Sequence, residues 1–443
     1  MKRSLIVALP AAILLALGNL WAVEPDRPGA TAERPAGAIF HPDPSHLWNR
    51  LHHAFFVRPE GGPESPDPDA VDPPLWPDTS GFLRTGASNE AAIAVLDEFL
   101  SSDGAALIPD PLKRAVMQHD LWAAFDWSVN TSSPKSPERS SVRSLAPLRS
   151  RLAAAIRQLA LTGEEIDALP DNLANAAAAG VFNADYDPAN PRTPFLPADL
   201  LDPAGPWVSV RGALEGPSAP IHAEYYQGRS PFLVFLRLPG DRKATMGYLN
   251  ELNQATSRAA GGEAKELPQF PVGTMAALLR RMTVIDDRGR IRITPVTQTL
   301  QMRVYRLVGS EVTDHENSQA AVKLRMERAG LFAEGHQGLK AIDWSEPLSV
   351  SLLQQNDRYE DKDGHSSIKT TMQSCIACHS CGGATIHSVF TYKQDDWVPG
   401  ANLMAPNQLR LLVTDPLSEV KRTVRWKQGR YDWGMLMGLL ERP

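Results

Sequence analysis

The run Met275-Ala-Ala-Leu-Leu-Arg-Arg-Met-Thr-Val-Ile285, the bridge Asp286-Asp-Arg-Gly-Arg290 and the run Ile291-Arg-Ile-Thr-Pro-Val-Thr-Gln-Thr-Leu-Gln-Met-Arg-Val-Tyr-Arg-Leu-Val308 decide the fold class. Both runs are rich in apolar and β-branched residues, and a polar, glycine-containing turn joins them. This predicts a β-hairpin with long arms, in which Pro295, lacking an amide proton, must sit at an edge or a bulge. Working back along the chain, Trp207 to Leu214 and Phe232 to Leu238 also read as strands, the second almost continuously apolar as a buried strand would be. Residues 186–344 are therefore expected to be a β-rich region.

Helical signals fill residues 81–185. Asp110 followed by Pro111 forms a cap and first-turn pair opening Leu112 to Trp127, a second helix fits Val142 to Leu161, and Thr162 with Glu165 makes a capping box for the next. Residues 23–80 are rich in Pro, Asp, Gly and Ala and read as an extended tether or wrap, within which His46 to Phe56 is apolar enough to dock. The expected class is α+β, with an N-terminal helical lobe, a β-rich middle and a C-terminal segment, 345–443, of short elements and turns that carries the chemistry.

At the N-terminus Lys2 and Arg3 precede an apolar run from Leu5 to Leu17, and the small residue Ala22 follows. This is the order of a secretory leader over residues 1–22, too short and too interrupted by Pro10 to serve as a membrane span. Removing it would leave 43 basic against 51 acidic side chains, a net −8 from the full chain's −6. No later stretch is apolar and long enough to cross a bilayer, so the expectation is an extracytoplasmic protein, in a bacterium a periplasmic one, without a membrane anchor after cleavage. The acidic balance argues against a nucleic-acid partner. Oligomeric state is not readable. No Gly-x-Gly-x-x-Gly after a strand, Walker loop, His-Glu-x-x-His or Gly-x-Ser-x-Gly occurs.

The chain has three cysteines, all between Cys375 and Cys381. A disulfide framework would spread them and make them even in number. Their arrangement, Cys375-Ile-Ala-Cys378-His379, resembles the haem attachment motif of the c-type cytochromes. The likeness covers five residues, and the rest of the chain is not placed in a family by it. The resemblance implies one covalent haem c, with Cys375 and Cys378 as thioether residues, His379 as the proximal iron ligand, and a redox partner protein. A single motif excludes a covalently bound di-haem peroxidase.

Other readings of the cluster stay open. Three thiols with His379 or His387 form a Cys3His zinc set, a ferredoxin-type cluster lacks its fourth cysteine, and a thioredoxin-like disulfide lacks the long helix that should follow. Cys381 reads as a small buried residue.

The second axial position separates electron transfer from catalysis or ligand sensing, because an open iron binds small molecules. Met404 is the first candidate, in the proline-flanked loop Pro399-Gly-Ala-Asn-Leu-Met-Ala-Pro406, which resembles the methionine loop of small cytochromes c. Met435 and Met437 read instead as core, His387 as a surface or supporting residue, and His365 as a solvated loop residue. Tyr392 and Trp397 could pack a haem edge. Arg410, Lys421, Arg422, Arg425, Lys427 and Arg430 make the C-terminal segment locally basic, which suits haem propionates or an acidic redox partner, or simply a solvated face. Electron transfer is the leading expectation. A haem enzyme or sensor with an open iron and a zinc-binding extracytoplasmic protein are the alternatives, and whether the protein is an enzyme is left open.

Overall fold

The structure is a computed structural model that describes residues 38–56, 83, 86–130, 145–212, 216–260, 267–310, 312, 314–342, 376, 379, 386, 389 and 410–441. The helical lobe comprises α1 (Leu47–Phe56), α2 (Gly86–Ser101), α3 (Pro111–Asn130), α4 (Ala146–Gln158) and α5 (Gly163–Asp167). The predicted caps are present. The Asp110 carboxylate accepts from the Leu112 amide at 2.9 Å, and Thr162 and Glu165 exchange both bonds of the capping box. The helix expected over 142–161 runs over 146–158, and the run expected to dock does so as α1, burying Trp48, Leu51, Phe55 and Phe56 in the lobe's core.

After α6 (Asn172–Ala178) the chain forms β1 (Val208–Gly212), α7 (Pro220–Tyr225), β2 (Phe232–Arg237), α8 (Arg242–Ala260), β3 (Met275–Ile285) and β4 (Ile291–Tyr305). Then come α9 (His315–Ser318), β5 (Gln319–Met326), α10 (Arg328–Phe332) and β6 (Leu339–Ala341), and after residue 410 β7 (Leu411–Val413), α11 (Pro416–Gln428) and α12 (Tyr431–Leu440). The strands make one antiparallel sheet in the order β6-β5-β4-β3-β2-β1-β7. The class is α+β, as the sequence implies. Strands β5, β6 and β7 were not foreseen. The last two are three residues long, too short to show alternation.

The β3–β4 hairpin belongs to two cores. Its lower half pairs with β2 and β5, where Leu279, Leu300 and Met302 face α6 and the loop containing Phe195 and Leu196. Its upper half, with Met282, Val284, Ile285, Ile291 and Val296, is buried among the helices. The register shifts between these halves, because Arg281 pairs with Thr297 whereas Thr283 pairs with Ile293. Thr294, Pro295 and Val296 therefore bulge, which is where the proline was expected.

Peptide groups that no strand pairs still need partners, and side chains of the helices supply them. Asn172 brackets the bulge, accepting from the Thr297 amide at 2.7 Å and donating to its carbonyl at 3.0 Å. Gln118 treats Ile285 the same way, at 2.8 Å on both sides. His119 Nδ1 lies 2.8 Å from the Thr283 carbonyl and so carries the proton, while Nε2 accepts from Gln298 at 2.9 Å and Gln298 accepts from Ser230 Oγ at 2.6 Å. In the turn, Asp286 accepts from the Arg288 and Arg290 amides and from the Arg290 guanidinium. Burial raises its pKa, but these bonds outweigh burial and hold the carboxyl below the usual range.

The C-terminal helices return to the first lobe. Trp433 packs on Trp122, ring centroids 5.9 Å apart, and Leu436 lies in the same core. Met435 and Met437 pack there too, consistent with the core role read from the sequence. Between the lobes sits an ion cluster with no solvent exposure. Lys427 Nζ contacts Asp126 at 2.5 Å and Asp432 at 2.8 Å, and Arg229 contacts Asp126 at 2.9 Å. Arg430 adds Asp432 at 3.1 Å and Glu224 of α7 at 3.0 Å. The C-terminal basic run is thus corrected in part. Lys427 and Arg430 are consumed by internal carboxylates, while Lys421 and Arg425 stay exposed.

Removing one member leaves an uncompensated buried charge. Asp126→Ala should lower the unfolding free energy by about 3–5 kcal/mol, measured by urea denaturation, while the same change at exposed Asp97 should cost far less. The depressed Asp286 carboxyl has a signed consequence. Its stabilisation is present above the ordinary carboxylate pKa and lost as pH falls through the lowered value. In Asp286→Asn the urea midpoint should therefore fall less steeply with acidification over that range than in the parent.

Candidate functional site

Strands β6 and β7 lie at opposite edges of the sheet. The segment that joins them, residues 343–409, contains the Cys-x-x-Cys-His motif and must span six strand spacings, ~29 Å at the usual separation. Four of its residues are described, and three of them touch the same sheet face. The His379 carbonyl accepts from Gln319 Nε2 at 3.1 Å. The Val389 carbonyl accepts from Arg303 Nη2 at 3.4 Å, and the Ile386 amide donates to Gln269 at 3.2 Å. Ile386 and Val389 are buried with Val208, Val210, Leu236, Leu249 and Tyr305. Ile376, inside the motif, is also buried.

Register fixes what else this face carries. Residues paired across strands share a face, and alternate residues along a strand return to it. The pairs Phe232↔Arg280, Arg280↔Thr299, Ala276↔Arg303, Gln301↔Lys323, Thr299↔Arg325 and Tyr305↔Gln319 therefore place Arg280, Arg303, Lys323 and Arg325 on the side of the sheet that also carries Gln319. The opposite side is the apolar layer of Leu279, Leu300 and Met302. Arg280 stacks on Tyr226 at 3.9 Å, and Arg303 donates to the Tyr305 hydroxyl at 3.0 Å. These side chains are buried or half-buried, so their charges are less screened than at an open surface.

Helix α7 lies over the β2 end of this face and presents His222. Pro220 in its first turn preorganises the start. The chain leaves it through Gln227 and Gly228, both in the left-handed region at φ 52° and 74°. A Cβ on Gly228 would meet the Trp426 ring at 2.9 Å, so α11 packs against that turn at a distance only glycine allows. The Glu224 and Arg430 pair ties the helix to the ion cluster.

The His222 ring packs against Phe232, centroids 5.4 Å apart. Burial, then the positive charges of Lys323, Arg303 and Arg280, push its pKa down to about 4. At neutral pH His222 is a neutral imidazole with an available nitrogen lone pair, surrounded by cations. A neutral nitrogen donor beside positive charge is suited to a group that combines a metal centre with carboxylates. That is the chemistry of a haem, whose iron takes imidazole and whose edge carries two propionates.

Of the residues singled out in the sequence, the structure places His379 at this face. Cys375, Cys378, Cys381, Met404, Tyr392, Trp397, His365 and His387 lie outside the described residues. Elsewhere, His41 and His46 stack at 4.1 Å, and His52 is buried between Phe40 and Phe56. Among the described residues no group of three or more His, Cys, Asp or Glu side chains is gathered to hold a metal ion, and no helix is long and apolar enough to cross a membrane. His222 was missed because it belongs to no motif. The signal available was the occurrence of a basic residue in each of β3, β4 and β5, with Lys323 and Arg325 alternating in the last.

No family model matches the chain, and neither does any curated protein or solved structure.

In haem-free protein, Lys323→Met removes one of the cations facing His222. The imidazole should then titrate at a higher pH than about 4, read from its ring resonances by NMR. An unchanged titration would remove Lys323 from the causes of the depression.

Proposed function

We propose that this protein is an exported, single-haem c-type electron-transfer protein. One observation carries the proposal furthest. The segment bearing Cys375-Ile-Ala-Cys378-His379 is fastened at its histidine to a sheet face that offers cations and a neutral imidazole. Haem c, when bound, supplies a one-electron iron couple held through thioether bonds.

The chain's own residues have definable tasks in this reading. Cys375 and Cys378 provide the two thiols, and His379 provides the proximal nitrogen. Gln319 restrains the backbone of His379 through its carbonyl, which limits the orientations of the ring. Ile386 and Val389 anchor the segment in apolar surroundings and exclude water from its contact with the sheet, and Ile376 is buried as well. Arg280, Arg303 and Lys323 give that contact a positive field. The leader read at residues 1–22 would deliver the chain to the compartment where c-type haem is attached, and exposed Lys421 and Arg425 on α11 would offer charge to an acidic redox partner.

Protein produced with a haem c maturation system should carry one covalent haem per chain. Its reduced-minus-oxidised spectrum should show a c-type α band, and denaturing electrophoresis should retain haem on the polypeptide. Cys375→Ser with Cys378→Ser should lose that covalent stain. A parent protein without an α band overturns the proposal.

A further inference from the structure

We infer that the stacked pair His41 and His46 is an acid-released clasp, which holds the start of α1 and the turn before it on the helical lobe at neutral pH and lets them go when the rings take up protons. Nothing in this depends on haem, and electron transfer gives this part of the molecule no task. Each ring uses its Nδ1 as an acceptor. His41 Nδ1 accepts from the Asp43 amide at 3.1 Å, and His46 Nδ1 accepts from the Trp48 amide at 3.3 Å. An imidazole nitrogen that accepts carries no proton, so both rings are neutral in this arrangement. His46 directly precedes Leu47 and stands at the N-cap of α1, a position more often held by Ser, Thr, Asp or Asn. Unlike the Ser, Thr or Asn side chain, this cap loses its acceptor when it titrates, and imidazole ordinarily does so at about pH 6.5.

Protonation turns each acceptor into a donor that faces a donor. The Asp43 and Trp48 amides lose their partners, and two positive rings then lie face to face with centroids 4.1 Å apart. A cation at the first turn of α1 also opposes the helix dipole. The charges packed around the pair do not relieve this. Lys113 of α3 brings its ammonium to the Phe40 carbonyl at 2.8 Å. Arg50 of α1 is taken up by Glu98 of α2 at 2.8 and 2.7 Å, and Arg328 of α10 by Asp120 at 2.7 Å. Asp43 does favour charged rings, but it already accepts from the Ser45 amide and hydroxyl at 2.9 and 2.8 Å. Burial first, then His41 and Lys113, hold the His46 pKa below its usual value, and Asp43 offsets them only in part. The folded chain thus binds fewer protons than the unfolded one. The clasp contributes fully above the ordinary imidazole value and is lost as pH falls below it towards the lowered one.

Asn49 couples the turn to the core. It accepts from the Phe40 amide at 2.9 Å and donates to the His41 and Asp43 carbonyls at 2.7 Å each. Loosening of the turn therefore reaches Phe40, which with Trp48 is fully buried, and bares an apolar surface at the end of the lobe.

The test is amide hydrogen exchange of the full chain, read by mass spectrometry at about pH 7.5 and about pH 5.5, either side of the ordinary imidazole value, and corrected for the intrinsic effect of pH. Protection of peptides covering residues 38–50 should fall about fivefold at the lower pH, the factor that loss of one N-cap corresponds to. Peptides of α2 and α3 should keep theirs. The double variant His41→Asn with His46→Asn retains side-chain acceptors that do not titrate, and its protection over 38–50 should be the same at both pH values. Asp43, His52, His53 and Lys113 are untouched in that variant, so a loss equal to the parent's assigns the acid response to them and overturns the inference. A parent whose protection over 38–50 does not fall on acidification overturns it as well. If the double variant does not fold, His46→Asn alone decides: it should shrink the loss, and an undiminished loss overturns the clasp.

Discussion

Four charges with no access to water hold the molecule in one arrangement. Asp126 comes from the helical lobe, Arg229 from the entry to the interior strand β2, and Lys427 and Asp432 from the two C-terminal helices. Two cations face two carboxylates, so the group is neutral as a whole. Burial pulls the Asp126 pKa up while Lys427 and Arg229 pull it down. Such a group adds little stability over an apolar core of the same volume. What it adds is selectivity, because displacing any one of three distant stretches leaves a charge in a place that cannot solvate it. The Lys427 ammonium also lies 5.4 Å from the Trp122 ring centroid, on the helix that supplies Asp126.

The cluster reaches the candidate site through short covalent and ionic links. Arg229 follows the glycine that lets α11 approach, and that turn closes α7. Arg430, bound to Asp432, holds Glu224 of the same helix. His222 therefore owes its position to ions on the far side of its helix, and its electrostatic state to arginine and lysine on the sheet beneath it. The two effects are separable, since one acts on where the ring stands and the other on whether it carries a proton.

How much of this was legible in the sequence follows from how local each signal is. The long hairpin, the bulge at Pro295 and the Thr162–Glu165 capping box depend on neighbours within a few residues, and each appears where it was read. Strands β6 and β7 exist because an edge was available to pair with, a fact contained nowhere in their own three residues. The basic residues of α11 look alike in sequence. Lys427 is buried only because Asp126, three hundred residues earlier, faces it. His222 was invisible for the same reason: its cationic neighbours come from three strands that meet only in the folded sheet. The Cys-x-x-Cys-His motif stands at the other extreme, recognisable in five residues and silent about what lies across from it.

The connection from β6 to β7 is a crossing between the two edges of one sheet, and both of its ends belong to structures already fixed. Leu339 pairs on β5, and Leu411 pairs on β1 and is gripped by Asn253 of α8. The motif-bearing stretch thus behaves like a bridge deck whose abutments are set by the rest of the protein. Its span does not depend on what it carries. What holds it between those abutments is the burial of Ile386 and Val389 beside the sheet, so a polar substitution at either would cut the deck loose in mid-span while leaving both banks standing.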